Sequence, residues 1–440
     1  MERTHELPRP AVSCVLSAVG LLVAVTGCAT MPTVRLNQGA VQSSLQALEA
    51  DVLEESRRFK EQLEASGAVY ERPELQSYLE GLLQPLAPQH AEAGRYRFSL
   101  NVVQDPTLNA YTLGDGSLYA HTGLIARLRT AEQFAFVMAH EIGHVMNRDL
   151  VYFTDALHRK TIAAKLTGLI VTPALAAVGA GGLGELGLNT VYVASVNGFG
   201  RERESAADQE ALATMRRLGL DEREALRVFE AFLAEHERYD RGIEVSFLSS
   251  HPSNEERLKT ARIFMGPKAL DVFTPEKVDH AFLDATQELR IDNAALNIKL
   301  GRLYHATEDL QIILRRTPQD ARARFHLAEA YRLIAEDPEQ LKRELSRKAW
   351  NEIKDVADAE QHVYWQTRSF EEYQHALTAD PNWAEPHRGL GLLQVAQGKP
   401  REALQSLQRY LELAPNAKDR RFVLSQIARL EPPLAKRQEP

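Results

Sequence analysis

His140 and His144 stand four residues apart with Glu141 between them, in the stretch FAFVMAHEIGHVMNRD, which is too apolar for a surface helix. Four residues on a 3.6-residue helix return to nearly the same face, so both imidazoles address one point and Glu141 sits beside it. Buried imidazoles and carboxylates are costly unless something pairs with them, and a metal ion is the simplest common partner. The chemistry served by this spacing is metal-assisted hydrolysis, with His140 and His144 as ligands and Glu141 as the base toward a water. The rival explanation is coincidence. Among 14 histidines in 440 residues such a string arises by chance on the order of a few per cent of the time, and less often on an apolar helix.

Two histidines do not complete a catalytic zinc site, which takes three protein ligands and keeps one position open. The stretch GRERESAADQEALATMRRLG reads as a helix ending before Gly219, with Glu204 and Asp208 one turn apart on one face and Ala206 and Ala207 small enough for close packing. Glu204 can complete a His-His-Glu set for one zinc per chain, and Asp208 can hold the distal nitrogen of a ligating imidazole. Taken alone, an acidic helix face is more often solvated than ligating.

The elements that position these groups give an α+β chain, mostly helical. RYRFSLNV, from Arg95 to Val102, alternates Tyr96, Phe98, Leu100 and Val102 against polar neighbours and predicts a half-buried strand. NAYTL and SLYAH flank Gly114-Asp115-Gly116 as a hairpin, and Thr130 with Gln133 forms a capping box that starts the helix bearing the histidines. The pattern from Val41 to Ala65 predicts an amphipathic helix, a spacer or brace. Ile162 to Gly184 is apolar and glycine-rich, but Lys165 and Pro173 interrupt it, so it reads as packed helices or a lid, with a membrane contact as the alternative. Beyond about residue 280 the texture turns to Ala, Leu, Glu and Arg. Pro381 and Pro415 lie 34 residues apart, the tetratricopeptide period, with Leu390-Gly391, Ala403 and Leu407 at that repeat's offsets. Ala306 and Leu310 hold the same offsets before Pro318. A middle unit carries Leu327, Ala328, Tyr331 and Ala376, with 29 inserted residues around EDPEQLKRELSRKAWNEI. The expected organisation is a signal at 1–27, a linker and helix at 28–66, a zinc metallopeptidase domain with a small sheet at 67–270, and an all-α tetratricopeptide solenoid at 280–432.

The formal net charge of −8 supplies no general basic field, so nucleic acid is not an expected partner. Ala11 to Thr26 is an apolar run of export-signal length, behind Arg3 and Arg9. Val25-Thr26-Gly27-Cys28 resembles the bacterial lipobox, which implies that Cys28 is lipidated and that Ala29 after it favours the outer membrane, facing the periplasm. A plain cleaved signal or an uncleaved anchor is the alternative. The only two cysteines are Cys14, inside the signal, and Cys28, so the mature chain has no disulfide.

In their order, NAYTLGDGSLYAHTGLI, FVMAHEIGHV, GRERESAAD and HPSNEERL resemble the HtpX-like and BepA-like zinc metallopeptidases, relatives of the CAAX prenyl endopeptidases within the gluzincins; the likeness covers roughly residues 70 to 265. The resemblance implies His140, His144 and Glu204 as zinc ligands, Glu141 as catalytic base and Asp208 as the residue behind a ligand. Where the family often has a further His, this chain has Asp149, which puts local pairing in doubt. The family's His-Pro segment lies near the zinc, so His251 is a fourth ligand, an oxyanion donor, or only a loop histidine before Pro252. Tyr192 is a weaker oxyanion candidate, and His121 and His158 read as structural or surface residues. An extended substrate would add as a strand at Asn109 and Ala110. The implied function is cleavage of unfolded or misassembled envelope proteins, with outer-membrane assembly machinery as a partner of the repeats. The rival reading is a lipoprotein adaptor or chaperone scaffold with a structural or latent zinc site.

Overall fold

The structure is a computed structural model of the 440-residue chain, and it describes residues 38–88, 95–166, 199–239, 254–266, 277–354 and 361–435. The signal region with Cys14 and Cys28, the segment 167–198 with Tyr192, the His251-Pro252 pair and the side chain of His158 lie outside the described residues. Contacts divide the chain into Met1–Ser44 and Leu45–Pro440.

Helices α1 (Gln38–Ser66) and α2 (Pro73–Leu83) precede a three-stranded sheet, β1 (Ser99–Val103), β2 (Ala110–Thr112) and β3 (Ser117–His121). The order is β1-β3-β2: β3 runs parallel to β1 and antiparallel to β2, so β2 is an edge. The expected hairpin forms, with Leu113 N–H donating to the Ser117 carbonyl at 3.0 Å and Gly116 at a φ of 90°. The strand expected from Arg95 begins only at Ser99. Side-chain alternation sorts the sheet into two faces. Leu100, Val102, Ala110, Leu118 and Ala120 join the main core, whereas Val103, Tyr111 and Tyr119 meet Val52, Phe59 and Leu63 of α1. The predicted N-terminal helix is therefore a brace across the second face, with Phe59 edge-on to both stacked tyrosines.

Short α3 (Thr122–Arg127) leads into α4 (Ala131–Met146), then α5 (Asp149–Leu166), α6 (Arg201–Arg217), α7 (Arg223–Arg238) and α8 (Asn254–Met265). Every residue of α4 from Gln133 to Val145 is buried, which answers why it is apolar all round: it is the central helix, not an amphipathic surface one. Thr130 caps it, accepting from Gln133 N–H at 3.1 Å. The reciprocal half of the capping box is displaced by one residue: the Gln133 side chain accepts from Arg129 N–H at 2.7 Å and donates to buried Glu224 at 2.8 Å.

The remaining helices are α9 (His280–Ala285), α10 (Gln287–Lys299), α11 (Leu303–Arg316), α12 (Ala321–Glu336), α13 (Glu339–Glu344), α14 (Arg347–Ile353), α15 (Gln361–Ala379), α16 (Ala384–Ala396), α17 (Pro400–Leu413) and α18 (Arg420–Ala435). They stack as tetratricopeptide-like pairs, α10 with α11, α12 with α15 and α16 with α17, with α13 and α14 filling the expected insertion. Pro318, Pro381 and Pro415 fall in the loops after each pair, and Ala306, Leu310, Ala376, Ala403 and Leu407 are buried. Gly391 is required by packing, because a Cβ there would stand 2.7 Å from Leu407.

The first pair is fused to the core around α4. Phe282, Leu289, Leu345 and Ala349 belong to the same apolar cluster as Phe134 and Phe136 of α4. A buried polar cluster also crosses the junction. His305 of α11 sits between Glu235 of α7 (2.5 Å) and Asp309 (3.3 Å), and Arg127 reaches both carboxylates at 3.2 Å. Burial alone would push the His305 imidazole down, but Glu235 and Asp309 outweigh it and raise it to about 9. A folded value above the unfolded one contributes stability that is full below about pH 6.5 and is lost as pH rises through about 9, on the order of 3 kcal/mol. In zinc-loaded protein, the melting temperature should fall by a few degrees between pH 6.5 and 9.5, and His305→Gln should flatten that slope. Calorimetry on both proteins decides; an equal slope in the variant would assign the titration to another group.

Candidate metal centre

Glu204 lies in the first turn of α6, where the helix N-terminus favours a carboxylate, and Phe199 N–H donates to its Oε1 at 3.2 Å. α6 crosses α4 closely because the contact is between small residues. A Cβ on Gly143 would stand 3.4 Å from the Ala207 Cα and 3.1 Å from a Glu210 oxygen. Of the two alanines expected to permit this approach, Ala207 is fully buried and Ala206 only partly.

The crossing brings His140, His144 and Glu204 together with donor atoms within 4.8 Å of one another, all buried. The His140 and His144 Nε2 atoms are 3.0 Å apart and lie 3.5 and 3.6 Å from the Glu204 oxygens. Ligands about 2.0–2.1 Å from a tetrahedral zinc are separated by roughly 3.3 Å, so the triangle has the right size. Each imidazole is oriented from behind. His140 Nδ1 lies 2.9 Å from Asp208 Oδ1, and His144 Nδ1 lies 2.8 Å from Asp149 Oδ2, so both Nε2 atoms are left to face the shared point.

Two further groups complete the polar shell. Arg257 of α8 grips Asp208 with two bonds, 2.8 and 2.6 Å, and stacks over the Phe229 ring of α7 at 4.9 Å. Arg203 pairs with Asp149. The Arg257 guanidinium and His140 hold the Asp208 carboxyl well below the usual range in spite of its burial. Glu141 is 1 % exposed, its Oε1 accepts no hydrogen bond among the described residues, and burial pushes its carboxyl up. Glu141, Glu204, Asp208 and Asp149 against Arg203 and Arg257 leave a formal charge of −2 when both imidazoles are neutral, which a divalent cation cancels. Two imidazoles and a carboxylate are a donor set that zinc takes. A cavity of about 360 Å3 lies beside Glu204, Ser205, Asp208 and Arg257.

Sequence reasoning anticipated Asp208 but missed Arg257, although HPSNEERL contains it, and left the partner of Asp149 open. Asp149 is fully buried against His144, so the position differing from the family still holds a histidine. Asp149→Asn should lower zinc affinity about 10–100-fold with the fold retained, measured by competition with a chromophoric chelator. Unchanged affinity would reduce Asp149 to an ion-pair partner of Arg203.

Asn109 and Ala110 are each 1 % exposed at the edge β2, which packs against α4, and neither amide atom of Asn109 has a side-chain partner among the described residues. His121 is a structural residue: it is buried, 2.7 Å from Thr107 Oγ1 and 3.5 Å from Asp105.

Residues 73–263 match Peptidase family M48. The beta-barrel assembly-enhancing protease of Escherichia coli is 29% identical over 206 residues, 46% of this chain and 41% of that protein. Its Yersinia pestis counterpart is 28% identical over 204 residues, with the same shares. A mitochondrial metalloendopeptidase of Schizosaccharomyces pombe is 26% identical over 166 residues, 37% of this chain and 45% of that protein. The chain thus spans less than half the length of the curated relatives it matches.

Proposed function

For a chain whose residues 73–263 match Peptidase family M48, we infer a zinc-dependent endopeptidase that hydrolyses unfolded or misassembled proteins of the bacterial envelope. The carrying observation is the convergence of His140, His144 and Glu204 beside a buried carboxylate, Glu141, whose Oε1 accepts no hydrogen bond among the described residues. A structural metal site needs no such base.

His140, His144 and Glu204 would hold one zinc per chain, which supplies Lewis acidity toward a water and the scissile carbonyl. Glu141 takes the proton from the attacking water and returns it to the leaving amine, with no covalent intermediate. Asp208 and Asp149 keep each ligating imidazole in the tautomer that leaves Nε2 free. An extended substrate lies along β2, where the Asn109 side chain offers a donor and an acceptor to a peptide group. The peptidase module is assigned to 67–270 and the protein-binding repeats to 280–432. Cys28 carries the lipid, placing the enzyme at the outer membrane facing the periplasm, and the repeats dock outer-membrane assembly machinery, in keeping with the beta-barrel assembly-enhancing relatives. His251, which lies outside the described residues, would act as an oxyanion donor or as a fourth ligand that keeps the resting enzyme latent, the alternative being a loop histidine with neither role.

The test is cleavage of casein and of an unfolded outer-membrane protein by the purified chain. Chelation should abolish cleavage and added zinc restore it. Cleavage indifferent to the chelator would overturn the metallopeptidase reading.

A further inference from the structure

A cavity of about 250 Å3 lies where α3 runs into α4 and the first repeat pair closes over it. Arg127, Arg129, Lys277, Arg290, Arg315 and Arg316 line it, against one carboxylate, Asp309. Several of these cations have anions in contact: Arg127 meets Glu235 and Asp309, Lys277 meets Glu132, and Arg316 meets Asp284. Two differ. Arg315 is exposed and makes no ion pair among the described residues. Arg290 is only 7 % exposed and likewise has no carboxylate at ion-pair distance there; its donors go to Thr286 Oγ1 and to the carbonyls of Ile125, Ala126 and Leu128. Carbonyls satisfy the N–H groups but leave the charge uncancelled in a poorly solvated place. Burial accordingly pulls the Arg290 guanidinium down to about 9, with Asp309 only partly offsetting it.

The walls are as informative as the charge. Leu283, Ile312 and Ile313 are half-buried or buried, and Val278 is 58 % exposed at the rim. A volume of 250 Å3 equals the liquid share of about eight waters, room for a carboxylate and one apolar side chain. Inorganic anions would leave the aliphatic walls without a partner.

We propose that this pocket binds a peptide carboxylate next to an apolar side chain, supplied either by a polypeptide C-terminus or by an acidic residue within an extended segment. The pocket sits at the N-terminal end of α4, whose His140 is nine residues on from Ala131, or about 14 Å along the axis. It is therefore a recruitment site for the polypeptide substrates proposed above; that purpose rests on the peptidase reading, while the binding itself does not.

The full-length Glu141→Gln protein, loaded with zinc, keeps hydrolysis out of the measurement. Fluorescein-labelled pentapeptides with a penultimate Ala and terminal Leu are compared as free acid, as C-terminal amide, and as amide with Glu beside Leu. Fluorescence anisotropy should show saturable binding of the free acid, at least tenfold weaker binding of the plain amide, and at least tenfold loss for Arg315→Glu and Ile312→Asp, with melting temperatures unchanged. Binding by the Glu-containing amide assigns the carboxylate to a side chain; its failure beside a binding free acid assigns it to the C-terminus. No saturable binding, equal binding of acid and plain amide, or binding unchanged in Arg315→Glu overturns the proposal. Displacement of the peptide by an equal concentration of inorganic phosphate reduces the pocket to an anion site and overturns it as well.

Discussion

Glu141→Gln should reduce proteolysis by about a thousandfold while zinc remains bound at one per chain. The amide keeps the shape of the carboxylate, so the apolar packing of α4 is unchanged, but it cannot accept the proton of an attacking water; general base catalysis contributes about 10²–10⁴ in rate. Glu141 is 1 % exposed and its Oε1 accepts no hydrogen bond among the described residues, so the substitution breaks none at that atom. Turnover of a fluorogenic peptide and metal analysis of the same preparation check both halves. Turnover within tenfold of the parent would remove Glu141 from the base role.

Glu204→Ala should remove the metal itself, leaving zinc below about a tenth of an equivalent after dialysis, since one of three protein ligands is gone. The parent should gain thermal stability with added zinc, about 4 kcal/mol at a thousand times the dissociation constant, and the variant should gain almost none. The Phe199 N–H also loses its acceptor, so the metal-free variant should melt slightly below the metal-free parent. Full occupancy in Glu204→Ala would place the third ligand elsewhere.

Much of this site was legible because helical periodicity is a local property. The four-residue spacing of His140 and His144, and of Glu204 and Asp208, fixes which side chains share a face without knowledge of the rest of the chain. The repeats were legible for the same reason, through Ala and Leu at fixed offsets from proline. Pairings between elements were not. Arg257 stands 49 residues from Asp208, and nothing in its surroundings distinguishes a buried guanidinium from the solvated cations common on such helices. Asp149 was visible only as a departure from a pattern; its burial against His144 depends on how α5 leaves α4. The displaced half of the capping box has a similar origin, because Glu224 of a later helix takes the Gln133 amide.

The fusion of the first helix pair to the peptidase core also sets where the chain can be cut. A protein ended near residue 270 would lose Phe282, Leu289, Leu345 and Ala349 from the cluster that buries Phe134, and would strip the carbonyls of Ile125, Ala126 and Leu128 of the Arg290 guanidinium. Such a fragment would present a fresh apolar face and aggregate. Farther on, α16 to α18 share a cluster around Ala403, Leu407, Tyr410 and Val423, but Leu390 and Leu393 of α16 also pack with Ala328 of α12 and Tyr373 of α15. A cut before α16 would uncover Tyr373 as a cut near 270 uncovers Phe134, so the helix pairs behave as one continuous scaffold and the terminal pair could be exchanged only with a replacement that covers the same face.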